Sequence, residues 1–425
     1  MEDFFKLIST GECTALLDRF TPLASETVPL SAALGRVLAA DVVARELLPP
    51  FSRSTMDGYA VRAANTFGCS ESETALLTVV GEIAMGEPGR TLALAPGQAA
   101  RIWTGGELPD KADAVVMVEY TRLLDPTTVA VFRPVAPGEN VIRAGEDCRP
   151  GDRILAAGHR LRPQDLGVLA GLGLTTVPVH RRPRVAILST GDELVPADQT
   201  PPPGKIRDIN SASLAALVEE AGGVPVALGI CTDDFARMQA TCTTALADCD
   251  LLLLSGGSSV GQRDFTLRVF AAIDGSELLA HGVSIRPGKP TIVAARANQA
   301  LFGLPGHVAS ALVVFLLFVR PLLRRFQGLG TTLGLRTVQV RTGQQIPSAI
   351  GREEYVRVRL EEPPDGGLPL ALPVYGKSGL LGPLIRGPRP PARGPRQRGV
   401  GLRDRSHGAA LPHPLLRIRR MPTVI

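Results

Sequence analysis

Cysteine pairs and long apolar runs are missing from this chain of 425 residues, and aromatic residues make up only 4% of it. Its six cysteines are scattered, with no CxxC pair and no histidine at ligand spacing. This disfavours a zinc site and favours free thiols in a reducing compartment. The most apolar stretch, Val308 to Val319, is too short to span a bilayer, and the first ten residues contain no apolar signal core. We therefore expect a cytoplasmic protein with no membrane partner.

The positive charge of the chain is not spread along it. The net charge is +5 and the pI is near 9.0, but residues 383–425 alone contain ten arginines and a single acid, Asp404. Residues 1–382 therefore carry a net charge of about −4, which argues against a broad polyanion-binding face on the body of the protein. The arginine-rich tail has no interleaved aromatic residues on which bases would stack, so we expect no nucleic-acid partner.

The length predicts two to four domains, and the sequence pattern changes along the chain. Residues 1–50 look helical, with helices predicted at Phe4 to Arg19 and at Ser31 to Ala44. Residues 51–136 consist of short alternating segments between Gly/Pro turns, which predicts a small β domain. Residues 137–182 return to mixed character. We expect them to join residues 1–50 in a discontinuous N-terminal linker and dimerisation domain, into which the β domain is inserted.

Residues 183–328 alternate between strand and helix patterns, which predicts a parallel sheet with helices on both faces and ligands at the carboxyl ends of its strands. Asn210 is predicted to cap the helix from Ser211 to Ala221. Residues 329–382 again look like strands, most clearly at Leu335 to Val340 and Tyr355 to Leu360, and are predicted to form an incomplete C-terminal β domain. Residues 383–425 form an atypical tail rich in arginine, proline and glycine, a composition that cannot bury a core. The predicted fold class is a multidomain α/β protein. Its central three-layer α/β domain is flanked by an N-terminal α/β domain, a small β domain and a C-terminal β domain.

The stretch from Asp250 to Asp264 organises the predicted α/β domain. Leu251 to Leu254 is a uniformly apolar run, which suits a strand buried on both faces of a parallel sheet. The turn Ser255-Gly256-Gly257-Ser258-Ser259 follows at once and leads into an amphipathic helix. Glycines let the backbone approach a ligand, free amides point at it and hydroxyls add donors, so the turn is a candidate anion site. An ordinary β-to-α turn is the alternative interpretation.

Several charged residues lie in loops at the predicted ligand edge of this sheet. The carboxylates are Asp192, Glu193, Asp233 and Asp264, and the cations are Arg286 and Lys289. A phosphorylated ligand handled with a divalent metal accounts for both groups, because carboxylates bind Mg²⁺ while amides and cations bind phosphate. Simpler interpretations stay open: Glu193 as a surface residue, Lys289 as a solvated turn residue, and His307 as a helix cap or an exposed side chain.

The predicted β domain contributes a second set of polar turns. Asp57 lies in the turn-rich stretch Ser52 to Ala60, Thr104 follows a predicted strand, and Asp147 follows a glycine and a glutamate. Asp57 and Asp147 would serve equally well as turn residues that make local Asx hydrogen bonds. No Ser/His/Asp or Cys/His arrangement that would mark a nucleophile can be recognised in the sequence.

Taken in order, eight strings of the sequence resemble the molybdopterin molybdenumtransferase family, which performs the last step of molybdenum cofactor assembly. They are SRSTMDGYA at 52–60, RIWTGGELP at 101–109, AGED at 144–147, STGDEL at 189–194, the Asn-Ser helix start at 210–211, SGGSSVGQRD at 255–264, RPGKP at 286–290 and GLPG at 303–306. Their order and spacing cover roughly residues 1–380, which makes the resemblance specific.

The resemblance implies an elongated homodimer of four-domain subunits, with the active site between the α/β domain of one subunit and the β domain of the other. It implies a transferase that uses Mg²⁺ to insert molybdate into adenylylated molybdopterin and releases AMP. A molybdopterin adenylyltransferase is the implied partner.

The same resemblance assigns residue roles. Pterin-nucleotide binding, metal binding or hydrolysis would involve Asp57, Thr104, Asp147, Glu193, Asp233 and Asp264. Of these, Glu193 and Asp264 would hold the metal. In the glycine-rich turn, the cofactor would be bound by Ser255, Gly256, Gly257 and Ser258. The molybdate oxyanion would be gathered by Arg286, Lys289, Ser310, Arg352 and Ser378.

Two features depart from the family pattern. His307-Val308 follows GLPG where the family usually has Asn-Pro, so we expect a different turn into the last helix of the α/β domain. After Lys377-Ser378-Gly379 the family continues into strands, whereas this sequence becomes Arg/Pro/Gly-rich from about Arg386. Our hypothesis is a shifted reading frame or a degraded end, which would misplace Ser378. Re-sequencing the coding DNA across the junction tests it, and an intact frame without an insertion or deletion would reject it.

Two other functions stay open at this point. A molybdopterin adenylyltransferase shares the same kind of α/β domain, but such enzymes resemble that domain alone. A molybdopterin-binding protein or scaffold would keep the fold with little or no turnover, because its C-terminal domain is degraded.

Overall fold

The computed structural model describes residues 7–256, 265–334, 338–348, 351–363, 366–380 and 415–418. The chain divides into two compact units, one formed by residues 1–26, 35–39 and 178–425 and the other by residues 27–34 and 40–177. Several separate sheets, together with helices in both units, make this a mixed α/β multidomain protein, which confirms the predicted fold class. Within the described ranges, no helix is both long and apolar enough to cross a membrane.

Seven α-helices lie among the described residues. They are α1 (Thr10–Leu16), α2 (Pro163–Gly171), α3 (Asn210–Glu220), α4 (Phe235–Ala245), α5 (Phe265–Ala272), α6 (Val308–Val314) and α7 (Arg320–Phe326). A π-helical turn, Phe315–Val319, joins α6 to α7. Short 3-10 turns occur at Leu17–Arg19, Leu30–Ala32, Ala63–Thr66, Gly89–Thr91 and Val118–Tyr120.

The N-terminal segment is less helical than predicted. α1 begins at a capping box, in which Ser9 Oγ accepts from the Glu12 N–H at 3.1 Å and Glu12 Oε2 accepts from the Ser9 N–H at 2.7 Å. The predicted helix from Ser31 to Ala44 is wrong, because only the 3-10 turn Leu30–Ala32 forms there. Gly35 adopts a φ of 73°, a left-handed conformation that ends a helix.

Twelve strands precede residue 181. They are β1 (Ser25–Pro29), β2 (Val42–Val43), β3 (Arg53–Ser54), β4 (Gly58–Val61), β5 (Ala75–Ile83), β6 (Gln98–Ile102), β7 (Ala114–Met117), β8 (Thr121–Asp125), β9 (Thr128–Val131), β10 (Val141–Ile142), β11 (Arg153–Leu155) and β12 (Thr176–His180). A six-stranded sheet in the order β7-β4-β6-β5-β9-β8 lies within the range predicted for the small β domain. Its core contains the buried side chains of Tyr59, Val61, Leu77, Val116 and Val129. The domain boundaries themselves remain predictions.

A second six-stranded sheet forms the centre of the other unit. Its segment of the chain contains β13 (Arg184–Thr190), β14 (Leu194–Val195), β15 (Ile206–Arg207), β16 (Val224–Cys231), β17 (Leu251–Ser255), β18 (Ser276–His281), β19 (Ile285–Arg286), β20 (Ile292–Arg296) and β21 (Gln299–Leu304). The strand order is β16-β13-β17-β21-β20-β18. The first four strands are parallel to one another, whereas β20 and β18 each run antiparallel to their neighbours.

Helices cover both faces of this sheet because β17 is apolar on both sides. Alternate residues of a strand face opposite sides. Leu251 and Leu253 are buried against residues of α3 and α6, whereas Leu252 and Leu254 are buried against residues of α4 and α5. The prediction that the apolar run Leu251 to Leu254 is buried on both faces is therefore confirmed. The parallel strands β13, β17 and β21 end at one edge of the resulting three-layer structure.

A smaller sheet follows in the same unit. It contains β22 (Arg341–Thr342), β23 (Glu353–Glu361) and β24 (Leu370–Pro373) in the order β19-β23-β24-β22. The predicted strand from Tyr355 to Leu360 lies within β23, but residues 338–340 of the strand predicted at 335–340 are not in a strand, and residues 335–337 lie outside the described ranges. One further strand, β25 (Leu415–Ile418), pairs antiparallel with β23, within the segment predicted to be a tail.

Candidate functional site

The carboxyl ends of the parallel strands bring together residues from three turns. Ser255 ends β17, and the chain continues into Gly256 with a φ of 104°. A Cβ at Gly256 would lie 2.3 Å from the carbonyl oxygen of Thr190, at the end of β13, so only glycine fits this close approach. A Cβ at Gly306, after β21, would lie 3.7 Å from the Cα of Gly256. The predicted anion-binding turn therefore starts where three strand ends meet.

Asn210 connects these strand ends from the first residue of α3. Its Nδ2 donates to Ser255 Oγ at 2.7 Å and to the carbonyl oxygen of Gly306 at 2.8 Å. Asn210 Oδ1 and Thr190 Oγ1 are buried without a hydrogen-bond partner in the part of the chain that the structure describes. Because buried polar atoms are normally hydrogen-bonded, these two atoms are candidate contacts for a ligand bound at this edge.

The prediction that Asn210 caps α3 is wrong. Asp208 does so instead: its Oδ1 accepts from the backbone N–H groups of Asn210 and Ser211 at 3.0 and 3.2 Å. The Asn210 side chain is thereby left to hold the strand ends. Three residues predicted for this turn, Gly257, Ser258 and Asp264, lie outside the described residues.

An acidic loop follows β13 at the same edge of the sheet. Asp192 and Glu193 are exposed, and the half-buried Asp233 donates its backbone N–H to Asp192 Oδ1 at 3.2 Å. Lys205 donates to the carbonyl oxygen of Asp192, and the carbonyl oxygen of Glu193 accepts from the Ile206 N–H at 2.8 Å. The loop backbone is therefore fixed on both sides, while the Glu193 carboxylate remains accessible to solvent.

The acidic loop offers oxygen donors of the kind that a magnesium ion binds. No group of three histidine, cysteine, aspartate or glutamate side chains that could hold a metal occurs in the described ranges. Mg²⁺ typically keeps several waters and binds through one or two carboxylates together with substrate phosphates. Glu193 offers such a carboxylate, so the donor chemistry fits this ion.

A separate polar site lies at the end of β6, in the unit that contains the small β sheet. Asp57 Oδ1 accepts from the backbone N–H of Thr104 at 2.8 Å and from its Oγ1 at 2.7 Å. The Thr104 hydroxyl, its backbone amide and the charge of Arg101 all lower the pKa of the Asp57 carboxyl. The Asx-turn interpretation is therefore wrong for Asp57, since its carboxylate binds a residue of another strand end. This pair presents an ionised carboxylate at the surface.

Asp147 lies in the loop that follows β10. Its backbone N–H donates to the carbonyl oxygen of Leu48 at 2.9 Å, and its side chain is exposed. Gly145 precedes it with a φ of 69°. The neighbouring β10–β3 pair joins this loop to the chain that leads to Asp57, because Val141 and Ile142 pair with Ser54 and Arg53. Asp57 and Asp147 thus belong to adjoining segments of one unit.

A cavity of about 1330 Å³ beside α3, α6 and β23 contains several of the predicted site residues. All five residues predicted to gather the oxyanion line it: Arg286, Lys289, Ser310, Arg352 and Ser378. They come from three separate parts of the sequence, namely β19 with the turn after it, the first turn of α6, and the loops before β23 and after β24. Cations and hydroxyl donors in one cavity are suited to bind an oxyanion.

His307 and Ser378 join two walls of this cavity. The Ser378 hydroxyl and His307 Nδ1 are 2.8 Å apart, and the carbonyl oxygen of Ser378 accepts from the Ala309 N–H at 3.1 Å. His307 occupies the N-cap position of α6, but its side chain makes no capping hydrogen bond. The cap interpretation is therefore wrong. The exposed imidazole instead fixes a residue that the resemblance assigns to the oxyanion.

The turn that carries Lys289 is shaped by Gly288. This glycine has a φ of 115°, and a Cβ there would lie 2.7 Å from Ile285 Cδ1 and 2.8 Å from Val314 Cγ2. The turn therefore packs directly on α6. Arg286, the last residue of β19, pairs with Glu354 at 3.0 Å, and the Glu354 side chain is only 6% exposed. Part of the positive charge of the cavity is thus already balanced.

Sequence reasoning missed several residues of the cavity. Glu354, Arg357, Tyr375 and Lys377 line it as well. Arg357 follows Tyr355 by two residues on β23, so strand periodicity would have placed these two side chains on one face of that strand. No sequence pattern indicated that β23 would form a wall of this cavity, because its neighbour β19 comes from the α/β segment.

Comparison with known proteins covers most of the chain. Three family models match: the MoeA N-terminal region (domain I and II) at residues 8–173, the probable molybdopterin binding domain at residues 186–325, and the MoeA C-terminal region (domain IV) at residues 339–387. A molybdopterin molybdenumtransferase of Nostoc is 38% identical over 336 residues, which is 78% of this chain and 76% of the relative. One from Bacillus subtilis is 37% identical over 303 residues, which is 71% of this chain and 70% of the relative.

A solved structure is similar over nearly the whole chain. The molybdopterin biosynthesis MoeA protein of Pyrococcus horikoshii is 34% identical, with a TM-score of 0.76. The similarity covers 89% of this chain and 93% of that protein. Similarity of this extent includes the flanking domains and not only the central α/β domain.

Proposed function

This chain belongs to the molybdopterin molybdenumtransferase family, and we propose that it inserts molybdate into adenylylated molybdopterin and releases AMP. It is a transferase of molybdenum cofactor biosynthesis, as its curated relatives are named. The observation that carries the finer proposal is the cavity of about 1330 Å³, which gathers all five residues assigned to the oxyanion. A protein that consists of the α/β domain alone would lack the wall of this cavity that β23 forms.

In the proposed reaction, the chain binds its two substrates with different chemistry. Molybdate carries two negative charges on tetrahedrally placed oxygens, so Lys289 and Arg352 would attract it and the hydroxyls of Ser310 and Ser378 would donate hydrogen bonds to it. His307 would hold the Ser378 hydroxyl in place through their 2.8 Å contact. Donors fixed before the substrate arrives stabilise charge without reorganising, which is how such a site lowers a reaction barrier.

The pterin nucleotide would bind at the carboxyl ends of the parallel strands. Gly256 allows a ligand to approach the backbone there, and the buried oxygens of Thr190 and Asn210 would gain the partners that they lack in the described protein. Glu193 and Asp264 would hold Mg²⁺, which would polarise the adenylate phosphate for cleavage. Asp57, Thr104, Asp147 and Asp233 are proposed to bind the nucleotide or the metal.

Three further proposals rest on the family resemblance. They are a homodimer, a molybdopterin adenylyltransferase as the partner that supplies the adenylylated pterin, and a cytoplasmic location. Sedimentation of the purified chain tests the first, and co-purification with the adenylyltransferase tests the second.

The reaction is tested with purified protein, adenylylated molybdopterin, Mg²⁺ and molybdate, by following AMP release and cofactor formation. Glu193→Ala is the matched variant, because the Glu193 side chain is exposed and its loss leaves the loop hydrogen bonds of the backbone intact. We expect molybdate-dependent turnover in the wild type and its loss in the variant. Tight pterin binding without turnover in the wild type would instead support the scaffold function.

A further inference from the structure

Arg357 is a half-buried arginine of the cavity that the roles assigned above leave out. Its Nη2 donates to the carbonyl oxygen of Gly376 at 3.3 Å. Its Nη1 is buried and has no hydrogen-bond partner in the described part of the chain. Burial lowers the pKa of this guanidinium, and no carboxylate acts in the opposite direction. Among the residues that the structure describes, this partly buried positive charge therefore has no carboxylate to balance it.

Two other arginines, one in the cavity wall and one on the same strand as Arg357, do have carboxylate partners. Arg286 pairs with Glu354 in the cavity wall, and Arg359, two residues along β23, pairs with Glu361. A buried charge that lacks a partner destabilises the folded protein, whereas the same charge beside an anion contributes favourably. The missing anion at Arg357 is therefore informative, because this residue lines a cavity built from oxyanion-binding groups.

We propose that a tetrahedral dianion bound in the cavity supplies the counter-charge of Arg357, and that Arg357 thereby sets the affinity of the cavity for the oxyanion. The proposal rests on the proposed function of this site. Arg357 acts as a positioning residue in two ways. Its charge attracts the dianion, and its hydrogen bond to Gly376 holds the segment that carries Ser378 two residues later.

This role makes an unusual prediction about stability. Replacing ionic groups of the interior by apolar side chains of similar volume is often neutral or stabilising, and removal of the half-buried Arg357 leaves no described carboxylate uncompensated. Arg357→Met should therefore leave the thermal stability of the ligand-free protein unchanged or raise it, while weakening oxyanion binding. A merely structural arginine would behave in the opposite way, because its loss would lower stability and leave ligand binding intact.

The experiment compares the wild type, Arg357→Met, Arg357→Lys and the control Arg359→Met, which removes an arginine of the same strand that already has a carboxylate partner. Thermal unfolding and calorimetric titration are measured with molybdate, tungstate and inorganic phosphate as separate ligands. For Arg357→Met we expect at least about a tenfold weaker Kd and a correspondingly smaller ligand-induced shift, since a charge-assisted contact is lost. Arg357→Lys should bind with intermediate affinity and Arg359→Met like the wild type.

Preference for molybdate and tungstate over phosphate identifies the ligand as a metal oxyanion, and equal binding of phosphate identifies it as a phosphate group of the substrate. The proposal is overturned if Arg357→Met unfolds or loses stability, if its oxyanion affinity equals that of the wild type, or if the wild type binds none of the three anions. Arg357-dependent binding in a protein without turnover would keep this inference and reject the proposed reaction. Turnover in the wild type together with unchanged oxyanion binding in Arg357→Met would keep the proposed reaction and reject this inference.

Discussion

Substituting Gly256 by alanine tests how closely the strand ends of the α/β domain approach each other. Gly256 has a φ of 104°, and a Cβ there would lie 2.3 Å from the carbonyl oxygen of Thr190. Gly229, in β16 of the same sheet, provides the matched control. It has a φ of 79° with no atom within 4 Å of its Cβ position, so an alanine there meets only the conformational cost.

The two costs can be estimated separately. A left-handed conformation costs an L-residue about 1–2 kcal/mol, which is the whole expected effect of Gly229→Ala. Overpacking adds about 1–3 kcal/mol, because the carbonyl of Thr190 belongs to the backbone of β13 and cannot rotate away. Gly256→Ala should therefore destabilise the protein by about 2–5 kcal/mol in total.

Chemical denaturation of the two variants measures the difference. The single tryptophan, Trp103, lies in the other unit, so the transition is followed by far-UV circular dichroism rather than by tryptophan fluorescence. We expect Gly256→Ala to unfold at a clearly lower denaturant concentration than Gly229→Ala. Equal destabilisation of the two variants would refute the close approach of Gly256 and Thr190, and with it the geometry of the candidate pterin site.

Two further predictions concern ionisable groups outside the site. Hydrogen bonds from Arg162, followed by those from His159, hold the pKa of the Asp165 carboxyl well below its usual range. A carboxyl whose pKa is lower in the folded than in the unfolded state stabilises the protein at neutral pH, and this contribution is lost in acid. Asp165→Asn should therefore lower the free energy of unfolding by about 1–3 kcal/mol at pH 7. The difference in unfolding free energy between the variant and the wild type should shrink below about pH 4. A constant difference down to pH 2 would contradict this. All six cysteines are buried, and burial raises the pKa of the Cys13 and Cys242 thiols to about 12. Mass spectrometry after iodoacetamide treatment at pH 8 should find these two thiols unmodified in the native protein and modified after unfolding, and rapid native labelling of either would contradict their burial.

The sequence predicted the α/β architecture well because its signals are local. The leucine run of β17 and the glycine-rich turn after it carry the period and the turn chemistry of a buried parallel strand. The 31–44 segment was predicted wrongly for the same reason. Its apolar spacing is helical, but Gly35 takes a left-handed conformation that the spacing does not reveal.

The candidate site was predictable only through the family resemblance. Arg286, Ser310 and Ser378 are far apart in sequence, and no periodicity indicates that they line one cavity. Local reasoning misassigned the side chain of Asn210 and left His307 as either a cap or an exposed residue, because both lie at helix starts where capping is the common role. Their real partners, Ser255 and Ser378, belong to other parts of the fold. Arg357 was missed because only tertiary structure reveals that it has no carboxylate partner among the described residues.

The molybdate dependence of AMP release tests the central claim most directly. Initial rates are measured against molybdate concentration for the wild type, for Lys289→Ala in the cavity, and for Lys111→Ala in the other unit as the control. Loss of a cation that binds the oxyanion should raise the KM for molybdate at least about tenfold in Lys289→Ala, while Lys111→Ala matches the wild type. An unchanged KM for molybdate in Lys289→Ala, or a rate of AMP release that does not depend on the molybdate concentration, would contradict the assignment of this cavity to the oxyanion.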